Sequence, residues 1–429
     1  MRHRRYSYAG AFVASIVGLA TWLVPASPAA AAATITIDRT SIDFGNQRVG
    51  TFGAIERVVV TANGDAPVDI EDVTLDGGNA NLDFVGDAFD ESASYCWDGA
   101  VTLAPTESCV IDIVFFPGER GLRTAKLTVD TSGNDPTTSV KGTGTVGYYI
   151  GGTAGQVANF GDADDLGDVS HLSLNSPIVG MATTPNGEGF WLAAADGGVF
   201  AFGNAGFYGS KGGQPLNQPI VGMASTSDGG GYWLVAADGG IFTFGNAPFL
   251  GSKGGQPLNR PIVAMAADPW GGGYWMVASD GGIFTFGDAG FFGSKGGQPL
   301  NQPVVGMAST PTGEGYHLVA LDGGIFTFGD AEFHGSKGGQ PLNSPMVGMA
   351  GYPTGHGYWT VARDGGVFTF GPTTPFMGSL GGQGIDDVVT MAGTAQPGLA
   401  GLLGIAGAGD GGPVKVQPRE LPAHRRVVG

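Results

Sequence analysis

The chain has 429 residues, with 38 Asp and Glu against 20 Lys and Arg, a formal charge of −18. That acidic balance lacks the basic footprint nucleic acid requires and disfavours anionic lipid surfaces. Its 80 glycines and 26 prolines approach the level of low-complexity chains, but 7 Trp, 11 Tyr and 25 Phe in regular arrangement require packed structure, with glycine at the turns.

Residues 1–33 read as an export signal. Arg2, Arg4 and Arg5 precede the apolar run 9–24, and the small residues of 26–33 offer an A-x-A-like cleavage site. A run of 16 residues is short for a membrane-spanning helix. Ser7 breaks the pattern a twin-arginine signal needs, so general secretion is expected, with no membrane insertion after cleavage.

Between residues 34 and 145 short runs rich in β-branched residues predict strands at 34–37, 57–61, 68–75, 110–116, 125–129 and 138–141. About 110 residues of this kind fit one β-sandwich. The only two cysteines, Cys96 and Cys109, fall here, and in an exported chain a lone pair reads as a disulfide. The motifs Ile42-Asp43-Phe44-Gly45 with Val49-Gly50-Thr51, Leu103-Ala104-Pro105 with Ser108-Cys109, Val114-Phe115-Phe116-Pro117 and Gly142-Thr143-Gly144 resemble those of ASH-type (Hydin-like, choice-of-anchor D style) immunoglobulin-like domains. The resemblance covers a quarter of the chain. It implies an immunoglobulin-like sandwich serving as spacer or interaction module, and no catalytic residue carries over.

The junction at 145–147 is very short, so limited freedom is expected across it. From 146 to 418 one unit repeats. Its Asp-Gly-Gly recurs at Asp196, Asp238, Asp280, Asp322 and Asp364, 42 residues apart each time, the period of a repeat architecture. Within one copy the apolar runs are 220–225, 232–236, 241–244 and a short fourth around Phe249 and Leu250, each cut by Gly, Pro, Asn or Asp. Four short antiparallel strands at that period predict a β-propeller blade. Second strands begin at Phe190, Tyr232, Tyr274, Tyr316 and Tyr358, with degenerate copies at Tyr148 and Leu402, which makes seven blades. A six-bladed ring with one end paired to the other is the alternative. The unit is similar to Gly- and Trp-rich propeller repeats of secreted actinobacterial proteins, a resemblance that implies no settled activity. The expected fold is all-β, an immunoglobulin-like sandwich followed by a propeller, and residues 419–429 are expected to be a disordered tail.

The loop G-S-K-G-G-Q-P-L-N is identical at 209–217, 251–259, 293–301 and 335–343, and decays in the sixth copy, where Leu380 replaces the Lys. The connection between first and second strands instead varies, as 184–188, 226–230 and 268–272 show. Alternate connections of an antiparallel sheet fall at opposite ends, so the invariant loop and the Asp-Gly-Gly turn are expected on one face and the variable loops on the other. The invariant face would present Lys211, Gln214, Asn217 and Asp238, then Lys253, Gln256, Asn259 and Asp280, then Lys295, Gln298, Asn301 and Asp322, then Lys337, Gln340 and Asn343. Such polar groups beside aromatic strands suit a repeated, multivalent glycan site. The competing reading is that duplication alone keeps the loop identical, with its side chains bonded to neighbouring loops.

Trp191, Trp233, Trp275 and Trp359 read as core between blades, with His317 a satisfied polar substitute in the fifth copy. No H-E-x-x-H spacing occurs, and Gly209-Ser210-Lys211-Gly212-Gly213 is not a nucleophile elbow. No cofactor is expected. Asp162, Asp164, Asp165 and Asp168 are the one set suited to calcium, without the Gly and Glu of an EF-hand loop. The expectation is a secreted, monomeric, non-enzymatic binding or adhesion protein whose partner is an extracellular glycan or protein. The alternatives are a polysaccharide hydrolase or lyase with carboxylates paired across the ring centre, and a purely structural surface protein.

Overall fold

The computed structural model describes residues 33–78, 83–87, 94–96 and 101–395. Residues 1–32 of the expected export signal, the copy at Leu402 and the tail at 419–429 lie outside the described residues. Among the described residues the chain is all-β.

Nine strands come first: β1 (Ile35–Ile37), β2 (Ser41–Arg48), β3 (Ile55–Ala62), β4 (Val68–Asp76), β5 (Phe84–Asp87), β6 (Val101–Leu103), β7 (Ser108–Phe115), β8 (Gly121–Thr131) and β9 (Thr137–Thr145). They form two sheets, ordered β1-β3-β7-β5 and β2-β9-β8-β4-β6. Side chains alternate across each strand: along β8, Arg123, Ala125, Leu127 and Val129 are buried while Leu122, Thr124 and Lys126 are exposed. Val58, Val60, Ile70, Ile111, Phe115, Leu127 and Val140 from both sheets share one core. Strand β2 escapes the sequence pattern because Gly45-Asn46-Gln47 interrupts its alternation; it pairs parallel with β9, and the register slips between Asp43 and Asn46.

Cys96 and Cys109 are bonded, with Cα atoms 5.3 Å apart, which ties residues 94–96 to β7. Replacing both with Ala is expected to lower stability by about 3 kcal/mol, since the unfolded chain regains a loop of that length. The urea midpoint of the variant against the parent measures it, and reduction of the parent should give the same shift.

The repeat region contains β10 (Gly147–Gly152) and β11 (Val157–Gly161) in the first copy, then β12 (Ile178–Thr183), β13 (Gly189–Ala194) and β14 (Val199–Gly203) in the second. The third holds β15 (Ile220–Ser225), β16 (Gly231–Ala236) and β17 (Ile241–Gly245), and the fourth β18 (Ile262–Ala267), β19 (Gly273–Ala278) and β20 (Ile283–Gly287). The fifth holds β21 (Val304–Ser309), β22 (Gly315–Ala320) and β23 (Ile325–Gly329), and the sixth β24 (Met346–Gly351), β25 (Tyr358–Ala362) and β26 (Val367–Phe370), with β27 (Val388–Gly393) last. Six three-stranded antiparallel sheets result.

One expectation is corrected. Each sheet has three strands among the described residues, and no strand forms around Phe249 and Leu250; Phe249 is 62% exposed while Leu250 packs inward. The copy expected at Leu402 lies outside the described residues. The last described strand, β27, which was not recognised in the sequence, pairs with β10 and completes the first sheet, an arrangement that fits the six-unit alternative. Without it β10, buried along its whole length, would present an open edge. First strands pack on one another in order, and β27 packs on both β24 and β12, so the contacts return to their start.

The same bonds recur at successive interfaces. The hydroxyls of Tyr232, Tyr274, Tyr316 and Tyr358 donate to the carbonyls of Gly209, Gly251, Gly293 and Gly335 in the preceding copy at 2.5–2.6 Å. Tyr148 makes that bond to Gly378 at 2.6 Å, so the closing interface is built like the others. Trp191, Trp233, Trp275 and Trp359 are fully buried against the next copy's Tyr, and each indole N–H donates to a carbonyl.

His317 occupies the Trp position of the fifth copy, its Nε2 2.9 Å from the Glu332 carbonyl and its ring 4.8 Å from that of Tyr358. Its Nδ1 is buried without a partner. Burial holds the imidazole pKa below its ordinary value. The unfolded chain therefore binds a proton that the folded ring refuses, and the stability this site contributes is full above the ordinary His range, about 6.5, and falls as pH drops below it. His317→Trp is expected to remove that acid loss, visible as a shallower fall in melting temperature between pH 7 and pH 5.

Candidate functional site

The invariant loop folds onto the Asp-Gly-Gly turn of its own copy: the N–H groups of Lys211, Lys253, Lys295 and Lys337 donate to the carbonyls of Gly197, Gly239, Gly281 and Gly323 at 2.8–3.0 Å. In each turn the Asp carboxylate accepts from the N–H two residues on. The middle glycine has φ of 75–80°, and a Cβ there would lie about 2.5 Å from the loop Lys or Leu380, so only glycine fits. Part of the loop's identity is thus backbone necessity.

The side chains form a bracket across copies. The amines of Lys211, Lys253, Lys295 and Lys337 donate to Gln214, Gln256, Gln298 and Gln340 at 2.5–3.0 Å. They also sit 4.9–5.2 Å from the ring centres of Phe242, Phe284, Phe326 and Phe368 in the following copy. Asn217, Asn259, Asn301 and Asn343 are exposed. Between the fifth and sixth copies a cavity of about 220 Å³ is lined by Lys337, Asn343, Asp364 and Phe368. Lys and Asn of one copy thus meet Asp and Phe of the next, and Asp238, Asp280 and Asp322 hold the corresponding place at the three preceding interfaces.

The Phe partner was not recognised in the sequence, though a signal existed. Where the loop Lys becomes Leu380, the facing strand β11 carries Ala158 in place of the Phe. Where it becomes Val169, that residue joins an apolar cluster with Phe200.

The proposed calcium set does not assemble. Asp162 accepts from the Thr394 hydroxyl at 2.7 Å and lies 3.6 Å from Arg48 Nε, and Asp164 lies 3.2 Å from Arg48 Nη2. Asp165 accepts from the Gly167 N–H, and Asp168 from the Ser170 N–H and hydroxyl. Two of the four carboxylates answer a guanidinium and two cap turns. Among the described residues no group of three or more His, Cys, Asp and Glu could hold a metal ion.

At the variable-loop end a cavity of about 410 Å³ opens among the ends of the first strands. Ser227, Asp228, Asp268, Pro269 and Trp270 line it from the third and fourth copies. Asp268 is 6% exposed; burial pushes its carboxyl pKa above the ordinary value, and Asp288 adds to the shift. Asp228 is held below the ordinary value by the Thr226 hydroxyl and the Gly230 N–H. Asp228, Asp268 and Trp270 were not singled out in the sequence as site residues, although the copies differ in chemistry at these positions.

No protein-family model matches the chain, and no curated protein does. Among solved structures, one described as "Crystal structure of Nidogen/Laminin Complex" is similar at a TM-score of 0.43 and 11% identity, over 58% of this chain and 99% of that one. A likeness that slight carries no argument. Among the described residues no helix is long and apolar enough to cross a membrane.

Proposed function

We propose that the chain is a secreted, non-enzymatic binding protein in which an immunoglobulin-like sandwich precedes a six-bladed β-propeller, and that the propeller offers its inter-blade grooves to an extracellular glycan. The observation that carries the reading is the groove of about 220 Å³ at Lys337, Asn343, Asp364 and Phe368, with the same residue types at three further interfaces. An ammonium, an amide and a carboxylate beside a ring match the hydroxyls and apolar face of a sugar. Weak sites repeated on one face gain from avidity toward a polymer. Two sheets over one core support the sandwich, and the closed series of sheet contacts supports the propeller. The signal at 1–33 and the disulfide support export.

Isothermal titration of the mature chain against cell-wall and exopolysaccharide fragments, followed by chromatography of the mixtures, tests this. Four equivalent sites and intact oligosaccharide are expected. Changing Lys211, Lys253, Lys295 and Lys337 together to Leu, the residue the sixth copy carries as Leu380, should abolish the heat. Absence of binding across the panel, or binding that survives this fourfold variant, sinks the proposal, and shortened products would make the protein a hydrolase or lyase.

A further inference from the structure

The cavity of about 410 Å³ lies at the other end of the sheets from these grooves, and among the described residues its lining holds two carboxylates, Asp228 and Asp268, and no Lys, Arg or His. The rest of the lining is mostly Ala and Met, with Trp270 among them. The loop that carries Asp268 and Trp270 departs from its siblings at both places. The second, third and fifth copies have Thr184, Thr226 and Thr310 where the fourth has Asp268, and Asn186, Asp228 and Thr312 where it has Trp270. The fold does not demand the change: in the fifth copy the Thr310 hydroxyl closes the same turn by bonding the Gly315 carbonyl and Asp330.

Both departures are held in place. The Trp270 indole N–H donates to the Thr312 carbonyl at 2.7 Å, and its backbone N–H donates to Asp268 at 3.2 Å. Trp270 stays 40% exposed, whereas the four Trp of the interfaces are fully buried. Asp228 is braced as an anion by the Thr226 hydroxyl at 2.7 Å, the Gly230 N–H at 2.9 Å and the Asn246 amide at 2.6 Å.

We propose that this cavity binds an alkylammonium group, its cationic head on the Trp270 ring and the carboxylates of Asp228 and Asp268, and its alkyl part on the Met and Ala side chains. Trp is the strongest of the aromatic rings for a cation, and the attraction grows when both are desolvated. Two carboxylates in one cavity concentrate cations and repel anions. A cation also compensates the buried Asp268, which a neutral sugar would leave without a counter-charge.

Choline chloride and its neutral isostere 3,3-dimethylbutan-1-ol, titrated calorimetrically into the full chain, separate charge from shape. One choline per chain is expected, with the isostere at least about tenfold weaker, the effect of roughly one cation–π contact with its charge. Trp270→Thr, Asp268→Thr and Asp228→Asn each copy a residue that another copy carries at that position, as Thr312, Thr310 and Asn186, so folding should persist. Each is expected to weaken choline about tenfold with an unchanged melting temperature. The fourfold Lys→Leu variant, which tests the grooves, should bind choline as the parent does. Equal binding of choline and the isostere, no choline binding at tens of millimolar, or unaltered choline binding by Trp270→Thr would overturn the proposal.

Discussion

A chain ending at Asp387, and so lacking β27, is expected to lose cooperative folding of the whole six-sheet region. β27 is the only partner of β10 on one side, and it packs on both β24 and β12. Its Val388 and Met391 sit in a core with Tyr148, Ile150, Tyr352 and Trp359. Burial of each such side chain contributes about 1.5–3 kcal/mol, and the ladder bonds of β10 are lost with them. Just past the strand, Thr394 receives the Gly147 N–H at 3.0 Å and donates to Asp162 at 2.7 Å. Against a total stability of about 5–15 kcal/mol, these losses remove most of what holds the region together. The bared edge of β10 then invites pairing between molecules. Circular dichroism should show no sharp melting transition for this chain, and gel filtration should show aggregates. A chain ending at Ala395, which keeps every contact described above, is the control and should melt cooperatively. A normal melt for the shorter chain would mean that the six sheets do not depend on closure.

How much of this was legible in the sequence depends on whether the decisive contact was local. The second and third strands of each copy were read nearly to the residue, because runs such as Tyr232-Trp233-Leu234-Val235 are bounded by glycines and repeat. The fourth strand was misread because Phe249 and its equivalents are apolar yet exposed, and an apolar residue in a short run does not disclose which way it faces. Closure by β27 was only an alternative, since pairing between residues 148 and 393 leaves no local mark. The site was harder still. Lys211, Lys253, Lys295 and Lys337 were read without their aromatic partners, because Phe242, Phe284, Phe326 and Phe368 of the following copies come beneath them only after folding. Asp268 and Trp270 read as ordinary variation in a loop, and only the cavity they share gives that variation a chemical meaning.

Arg48→Ala is expected to uncouple the two-sheet region from the six-sheet region at a loss of about 3 kcal/mol, because removing one partner of a largely buried ion pair leaves the other uncompensated. The Arg48 side chain is 15% exposed, as is that of Asp162 opposite. Its guanidinium donates to the Asn186 carbonyl at 2.9 Å and the Asp162 carbonyl at 3.3 Å, and lies 3.2 Å from Asp164. Asp164 is mostly exposed, so its share is small. The remainder falls on Asp162, which also anchors Thr394 beside the closing strand, so the lesion reaches the closure as well as the contact between regions. Next to Arg48, Val49 is fully buried in the core of Val146, Tyr148 and Tyr352, and Gly50 has no room for a Cβ against Pro353. That apolar contact survives the substitution, so the regions should stay attached but melt apart. Calorimetry of the parent should give one transition and that of Arg48→Ala two, the earlier one shifted most. Arg48→Lys keeps the charge without the planar fork that reaches three acceptors, and its shift should be intermediate. A single, unshifted transition in Arg48→Ala would place the coupling entirely on Val49 and its apolar neighbours.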